Sequence, residues 1–198
     1  QRAAERGAVV PAALPAGEAS WMQYLSWRDR LAALPCRRQL AAGVNHTALV
    51  DASGRLLTCG TEEDADGEAF GVLGHGVDVT ELSVPTPVPS LAGARVRSVA
   101  AGGNHTLVST EAGAVLSFGY GDLGCLGHGD TEDQRTPKVI EALRGEGVVA
   151  VSTGDWHSLV LTEAGAVLSF GAGENGSLGH GDEEDQLTPK VIESLRGE

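Results

Sequence analysis

Histidine is the residue in this sequence with the widest chemical reach, and it recurs at regular positions. Imidazoles can ligate metals or move protons near neutral pH. Three stand in Gly-x-x-His, as Gly43 to His46, Gly102 to His105 and Gly154 to His157. Three more, His75, His128 and His180, stand in Leu-Gly-His-Gly. Each is flanked by glycine and falls one to a turn. The expected role is therefore structural: a buried imidazole holding a turn through hydrogen bonds to the backbone. Neither a metal nor a catalytic site is expected. Gly-x-Gly-x-x-Gly at residues 119–124 precedes Leu-Gly-His-Gly and no helix, so it lacks the helix N-terminus that a pyrophosphate needs. The acidic tracts DTED (130–133) and DEED (182–185) do not have the spacing of a calcium loop. They read as solvated loops, with a negative ring docking a basic partner as the second reading. Serine, histidine and aspartate all recur with the repeat, so no unique nucleophile stands out.

The elements that must position these residues come from an internal repeat. Residues 110–146 return as 162–198 with an offset of 52, and 30 of the 37 aligned positions are identical. Repeats of this period signal a repeat architecture. Each unit carries Gly-x-x-His, a Gly turn before a short apolar strand, Leu-Gly-His-Gly and then Thr-Pro. In the last unit, 148–152, 158–162 and 166–170 read as strands. Residues 190–192 read as a short fourth strand or an edge segment. Four short strands in about 52 residues is a propeller blade. Blades are expected at about 40–95, 96–147 and 148–198. Equivalent histidines then lie in different blades and do not converge on one ion. The two histidines of a unit are 23 residues apart in the second and third copies and 29 in the first, where residues 61–70, TEEDADGEAF, form an acidic insertion. That insertion reads as a loop.

Ahead of the repeats, Pro11, Pro15 and Gly17 make residues 1–19 an extended or disordered arm. Residues 20–35 form an expected amphipathic helix, opened by Ser20 as a cap and closed by Pro35. Trp21, Tyr24, Trp27, Leu31 and Leu34 fall on one face of it. That stripe packs on the chain's own sheets or anchors another protein, and it is the candidate partner-binding element.

Composition agrees with an all-β chain. Glycine is abundant, at 28 of 198 residues, and aromatics make up 4%. The net charge of −13 disfavours direct binding to nucleic acid. Cys36, Cys59 and Cys125 are odd in number and widely spaced, which argues for reduced thiols in an intracellular compartment. No apolar run is long enough to span a membrane. The chain begins with Gln1, and an organelle interior is open if an upstream targeting segment was removed.

The repeat marks together resemble the regulator of chromosome condensation family. Residues 148–151, 154–158, 159–161, Phe170-Gly171 and 178–181 follow that family's order of strand, Gly-x-x-His, apolar strand, aromatic-Gly and Leu-Gly-His-Gly. The resemblance covers about residues 40–198 and implies a seven-bladed propeller. Three units make an incomplete arc, so a fragment of a longer protein is expected, with completion by other chains as the alternative. No exchange residues carry over from the family. The expected function is a non-enzymatic scaffold or linker for protein partners, in a larger multi-subunit assembly, with no cofactor. Guanine-nucleotide exchange on a small Ran-like GTPase is the alternative. Light sensing, known in a plant member, is disfavoured because the repeats hold one tryptophan, Trp156, displaced from that member's position. Cytosol or nucleus is the compartment the family implies.

Overall fold

The computed structural model describes residues 39–62 and 69–196. The expected arm, the helix with its stripe Trp21, Tyr24, Trp27, Leu31 and Leu34, and residues 63–68 of the acidic insertion lie outside the described residues. Among the described residues, twelve strands form three four-stranded antiparallel sheets, each an up-and-down meander. The first sheet holds β1 (Leu40–Ala42), β2 (His46–Val50), β3 (Leu56–Thr61) and β4 (Glu81–Pro87). The second holds β5 (Val96–Ala101), β6 (His105–Thr110), β7 (Val115–Gly119) and β8 (Gln134–Val139). The third holds β9 (Val148–Thr153), β10 (His157–Thr162), β11 (Val167–Gly171) and β12 (Gln186–Val191). The fourth strand of the last unit thus begins earlier than residues 190–192 and contains the Thr-Pro. Pro189 is tolerated there because β12 is an edge strand, and Pro87 and Pro137 stand on the corresponding edges.

The sheets stand side by side as propeller blades. Strand β5 packs against β1 and β2, and β9 packs against β5 and β6. The core is therefore two layers between sheets, with a smaller cluster of Phe70, Val72 and Leu73 against which Tyr120 packs. One joins Val50, Leu56 and Leu91 to Val99, Val108 and Phe118. The other joins Leu107, Ile140 and Leu143 to Val148, Val160 and Phe170. Fully burying one such side chain contributes about 1.5–3 kcal/mol. Strand β6 lies between two neighbours and is buried at every residue, whereas β2 alternates between buried and half-buried as a one-sided strand does.

A meander sends alternate loops to opposite ends. The β1–β2 and β3–β4 loops, with their counterparts in the other blades, share one end, here called the loop face. The β2–β3 turns and the connections between blades share the other.

Candidate interaction surface

Two of the three Gly-x-x-His histidines, His46 and His105, sew neighbouring blades together; His157 stands in the last described blade. The Nε2 of His46 lies 2.8 Å from the Thr106 hydroxyl in the next blade, and that hydroxyl donates to the Val72 carbonyl. One blade on, His105 Nε2 lies 2.9 Å from Ser158 Oγ, which donates to the Cys125 carbonyl at 2.8 Å. With the hydroxyl proton given to a carbonyl, the oxygen accepts from Nε2–H, which fixes the tautomer. The partner is thus a hydroxyl across the seam, and not the turn's own backbone as the sequence suggested. Burial pushes His46 down to about 4. It pushes His105 to about 3, and the neighbouring His46 and His157 add to that shift. The seam histidines are neutral at physiological pH.

Glycine lets these rings in by close approach. A Cβ on Gly102 would stand 2.4 Å from the Gly154 carbonyl oxygen and 2.7 Å from His105 Cε1. Gly43 repeats the arrangement against Gly102 O and His46. The Leu-Gly-His-Gly loops also cross the seam, with Gly76 N–H donating to Arg135 O and Gly129 N–H to Leu187 O, both at 2.9 Å. Their own histidines act within a blade. His75, His128 and His180 sit 3.1, 3.0 and 3.0 Å from Thr58, Ser117 and Ser169, whose hydroxyls donate to the carbonyls of Leu73, Leu126 and Leu178. Burial lowers all three, His128 to about 4. Among the described residues, no group of three or more His, Cys, Asp or Glu side chains is arranged to hold a metal. No helix there is long and apolar enough to cross a membrane.

On this scaffold the loop face carries an aromatic run that crosses all three blades. The rings of Phe70 and Tyr120 are 4.5 Å apart, and those of Tyr120 and Trp156 are 5.6 Å apart, edge to face. Phe70 is buried, Tyr120 half-buried and Trp156 41% exposed. The Tyr120 hydroxyl donates to Asp122 at 3.2 Å, and Asp133 accepts from Gly121 N–H at 2.8 Å beneath it. Burial and the negative charge of Asp122 and Asp133 push the Tyr120 hydroxyl upward. Burial likewise pushes the Cys125 thiol to about 12, so it is not a reactive thiolate.

Charge divides between the two ends. Every charged residue in the described loops of the loop face is a carboxylate, among them Asp122, Asp155, Glu174 and the two acidic tracts; lysine and arginine are missing from those loops. Among the described residues this end makes one ion pair, Asp130 with Lys138 of β8 at 3.7 Å. Arg135, at the start of β8, lies close enough to Glu62 to stabilise its charge. The opposite end is mixed and paired: Arg55–Asp51, Arg95–Glu111, Arg97–Glu163, Arg144–Glu141 and Arg196–Glu193.

Sequence reasoning singled out the acidic tracts and the histidines but missed the run of Phe70, Tyr120 and Trp156, which spans 86 residues of chain. The available signal was Tyr120 standing where the sister repeat has Ala172.

Comparison with known proteins agrees with this architecture. A family model described as the regulator of chromosome condensation (RCC1) repeat matches residues 53–109, 112–161 and 164–198, and a second of the same description matches 96–125 and 148–177. The human E3 ubiquitin-protein ligase HERC2 is 41% identical over 162 residues, which is 81% of this chain and 3% of that protein. The ultraviolet-B receptor UVR8 of Arabidopsis thaliana is 38% identical over 159 residues, 80% of this chain and 34% of the receptor. The chain thus spans about a third or less of these curated relatives. Among solved structures, human WBSCR16 superposes with a TM-score of 0.67 at 27% identity, covering 82% of this chain and 41% of that one. Prp20p of Saccharomyces cerevisiae gives 0.66 at 24% identity over 78% and 37%, a likeness of fold alone. With repeat matches over most of its length and three blades joined through the repeat's own histidines and glycines, this chain belongs to the regulator of chromosome condensation (RCC1) repeat family.

Proposed function

We propose that the chain is a non-enzymatic interaction module, a scaffold or linker that holds partner proteins in a larger intracellular assembly. The observation that carries this is the contrast between its ends. One end pairs most of its charges. The other keeps a predominantly acidic surface around an aromatic run that ends on the exposed Trp156, on loops whose backbones are locked by close glycine contacts. A rigid surface loses little entropy on binding, and accessible Trp and Tyr are among the side chains that contribute most at interfaces. The stripe at Trp21, Tyr24, Trp27, Leu31 and Leu34 is proposed as a second anchor.

The test is affinity capture by the full chain from extracts of its source, with quantitative mass spectrometry. A scaffold recovers at least one protein in stoichiometric amount, and alanine at Trp21 and Trp27 weakens that recovery if the helix is an anchor. Recovery of nothing above a scrambled control overturns the reading.

Prp20p, which shares the fold, is characterised for binding to Gsp1p and histones. Nucleotide exchange on a Ran-like GTPase is therefore the second reading. Release of labelled GDP from such a GTPase decides it: acceleration by this chain would put exchange in place of scaffolding, and an unchanged rate removes it.

A further inference from the structure

We propose that the Phe70–Tyr120–Trp156 run is the seat of an arginine-bearing basic segment of a partner protein. This rests on the scaffold reading above and names the chemistry of what is held.

Three observations converge. The first is the aromatic surface itself. Ring centroids 4.5 and 5.6 Å apart make one continuous apolar strip over three blades, and its outer ring, Trp156, is 41% exposed. The electron-rich faces of Trp and Tyr attract cations, and the planar, weakly hydrated guanidinium both stacks on them and pairs with carboxylates. The second is the placing of the carboxylates. Asp122 and Asp133 lie by the central ring. Asp155 precedes Trp156 in the chain, is exposed, and its backbone borders Gly103 of the neighbouring blade. The third is charge complementarity. The described loops of this face contain no lysine or arginine, whereas carboxylates at the opposite end have arginine partners. A basic partner supplies the counter-charge that these loops do not carry. The same field repels nucleic-acid phosphates and anionic lipid headgroups, which leaves a basic polypeptide as the occupant.

The test is fluorescence anisotropy of the full chain with a labelled short peptide of alternating arginine and glycine. The same peptide with lysine, and with glutamate, in place of arginine serves for comparison. The expected order is arginine tighter than lysine, with no binding of the glutamate form. Trp156→Ala should weaken the arginine peptide by about tenfold, the worth of one partly desolvated cation–π contact. Trp156→Phe should restore most of the binding. Asp122→Asn with Asp155→Asn should weaken it and flatten its dependence on salt. Glu111→Gln with Glu163→Gln, at the opposite end, should leave it unchanged, and melting curves confirm that each variant folds. The proposal is overturned by no binding to the unaltered chain, by equal loss in both pairs of carboxylate variants, or by full retention in Trp156→Ala. If the peptide fails while stoichiometric partners are still captured, the scaffold reading stands and this seat is wrong. If the peptide binds as expected while no partner is captured, the seat stands and the scaffold reading falls.

Discussion

The two ends of the blades are built from the same repeat and yet solve opposite problems. Where the loop face is seated against the next blade the backbone is crowded. A Cβ on Gly102 would meet a carbonyl oxygen of the next blade at 2.4 Å, and one on Gly127 would meet the Phe170 ring at 2.8 Å. At the other end, Gly113, Gly145 and Gly165 have nothing within 4 Å of the place a Cβ would take. Among the described residues the crowded end carries an excess of carboxylates with one ion pair, and the roomy end carries mostly paired charges. Stability and binding are thus separated in a particular way. The acidic loops stand directly over glycines packed against the neighbouring blade, so the charges that repel one another are mounted on tightly seated backbone. At the far end exposed ion pairs stand at the turns and, in Arg97–Glu163, between two blades, each contributing about 0–1 kcal/mol.

The sharpest way to break this contrast is one methyl group at each end. Gly102→Ala drives a Cβ into the seam backbone and should cost more than about 3 kcal/mol, or abolish folding. Gly113→Ala meets open space and bears only the strain of its φ of +85°, about 1 kcal/mol. Urea denaturation of the two variants reads both costs; equal losses would erase the distinction between the ends.

Acid should open the crowded end. His46 and His105 are held neutral in the fold, at about 4 and about 3, against an ordinary value near 6.5. Below 6.5 the unfolded chain binds more protons than the folded one. Their neutral state therefore costs nothing above that pH, and stability falls as pH drops toward 4. At pH 5 the loss is about 2 kcal/mol for each histidine. Melting temperatures from pH 7.5 to 4.5 should fall less steeply in His105→Gln than in the unaltered chain, measured against each protein's own value at pH 7.5.

A smaller effect comes from an internal comparison. Leu123 adopts φ 57° in the loop where the sister repeat places Asn175, also at φ 57°. Asparagine tolerates the left-handed region and leucine does not. Leu123→Asn should therefore stabilise by about 1 kcal/mol. Calorimetry that finds no gain would mean that packing of the half-buried leucine offsets its strain.

The smallest effects are electrostatic. Glu111→Gln removes the partner of Arg95, 3.1 Å away and largely exposed, and should cost under about 0.5 kcal/mol. Glu183→Lys, set among carboxylates at the loop face, should leave stability unchanged or raise it by a similar amount. Both differences should shrink in high salt.

Much of the blade was legible in the chain. Alternating Val-rich segments, Gly turns and the 52-residue period are local signals, and they located the strands within a few residues. The fourth strand was legible only in part, because Pro189 reads as a break until the strand is known to lie on an edge. The histidines were found, but their partners were not. His46 and Thr106 are 60 residues apart, and nothing local tells a ring that hydrogen-bonds its own turn from one that bonds the next blade.

The sequence by itself determined the repeat, the strands, the excess of negative charge and the chemical kind of every loop. Those depend on neighbours along the chain, where steric preference and periodicity act directly. Tertiary structure decided which loops share an end, which hydroxyl answers which imidazole, and that Phe70, Tyr120 and Trp156 meet. Those depend on the antiparallel meander, which sends alternate loops to the same end, and on the stacking of blades, which brings residues from separate units within contact distance. Short-range forces define the parts, and burial of apolar surface between sheets sets their order in space.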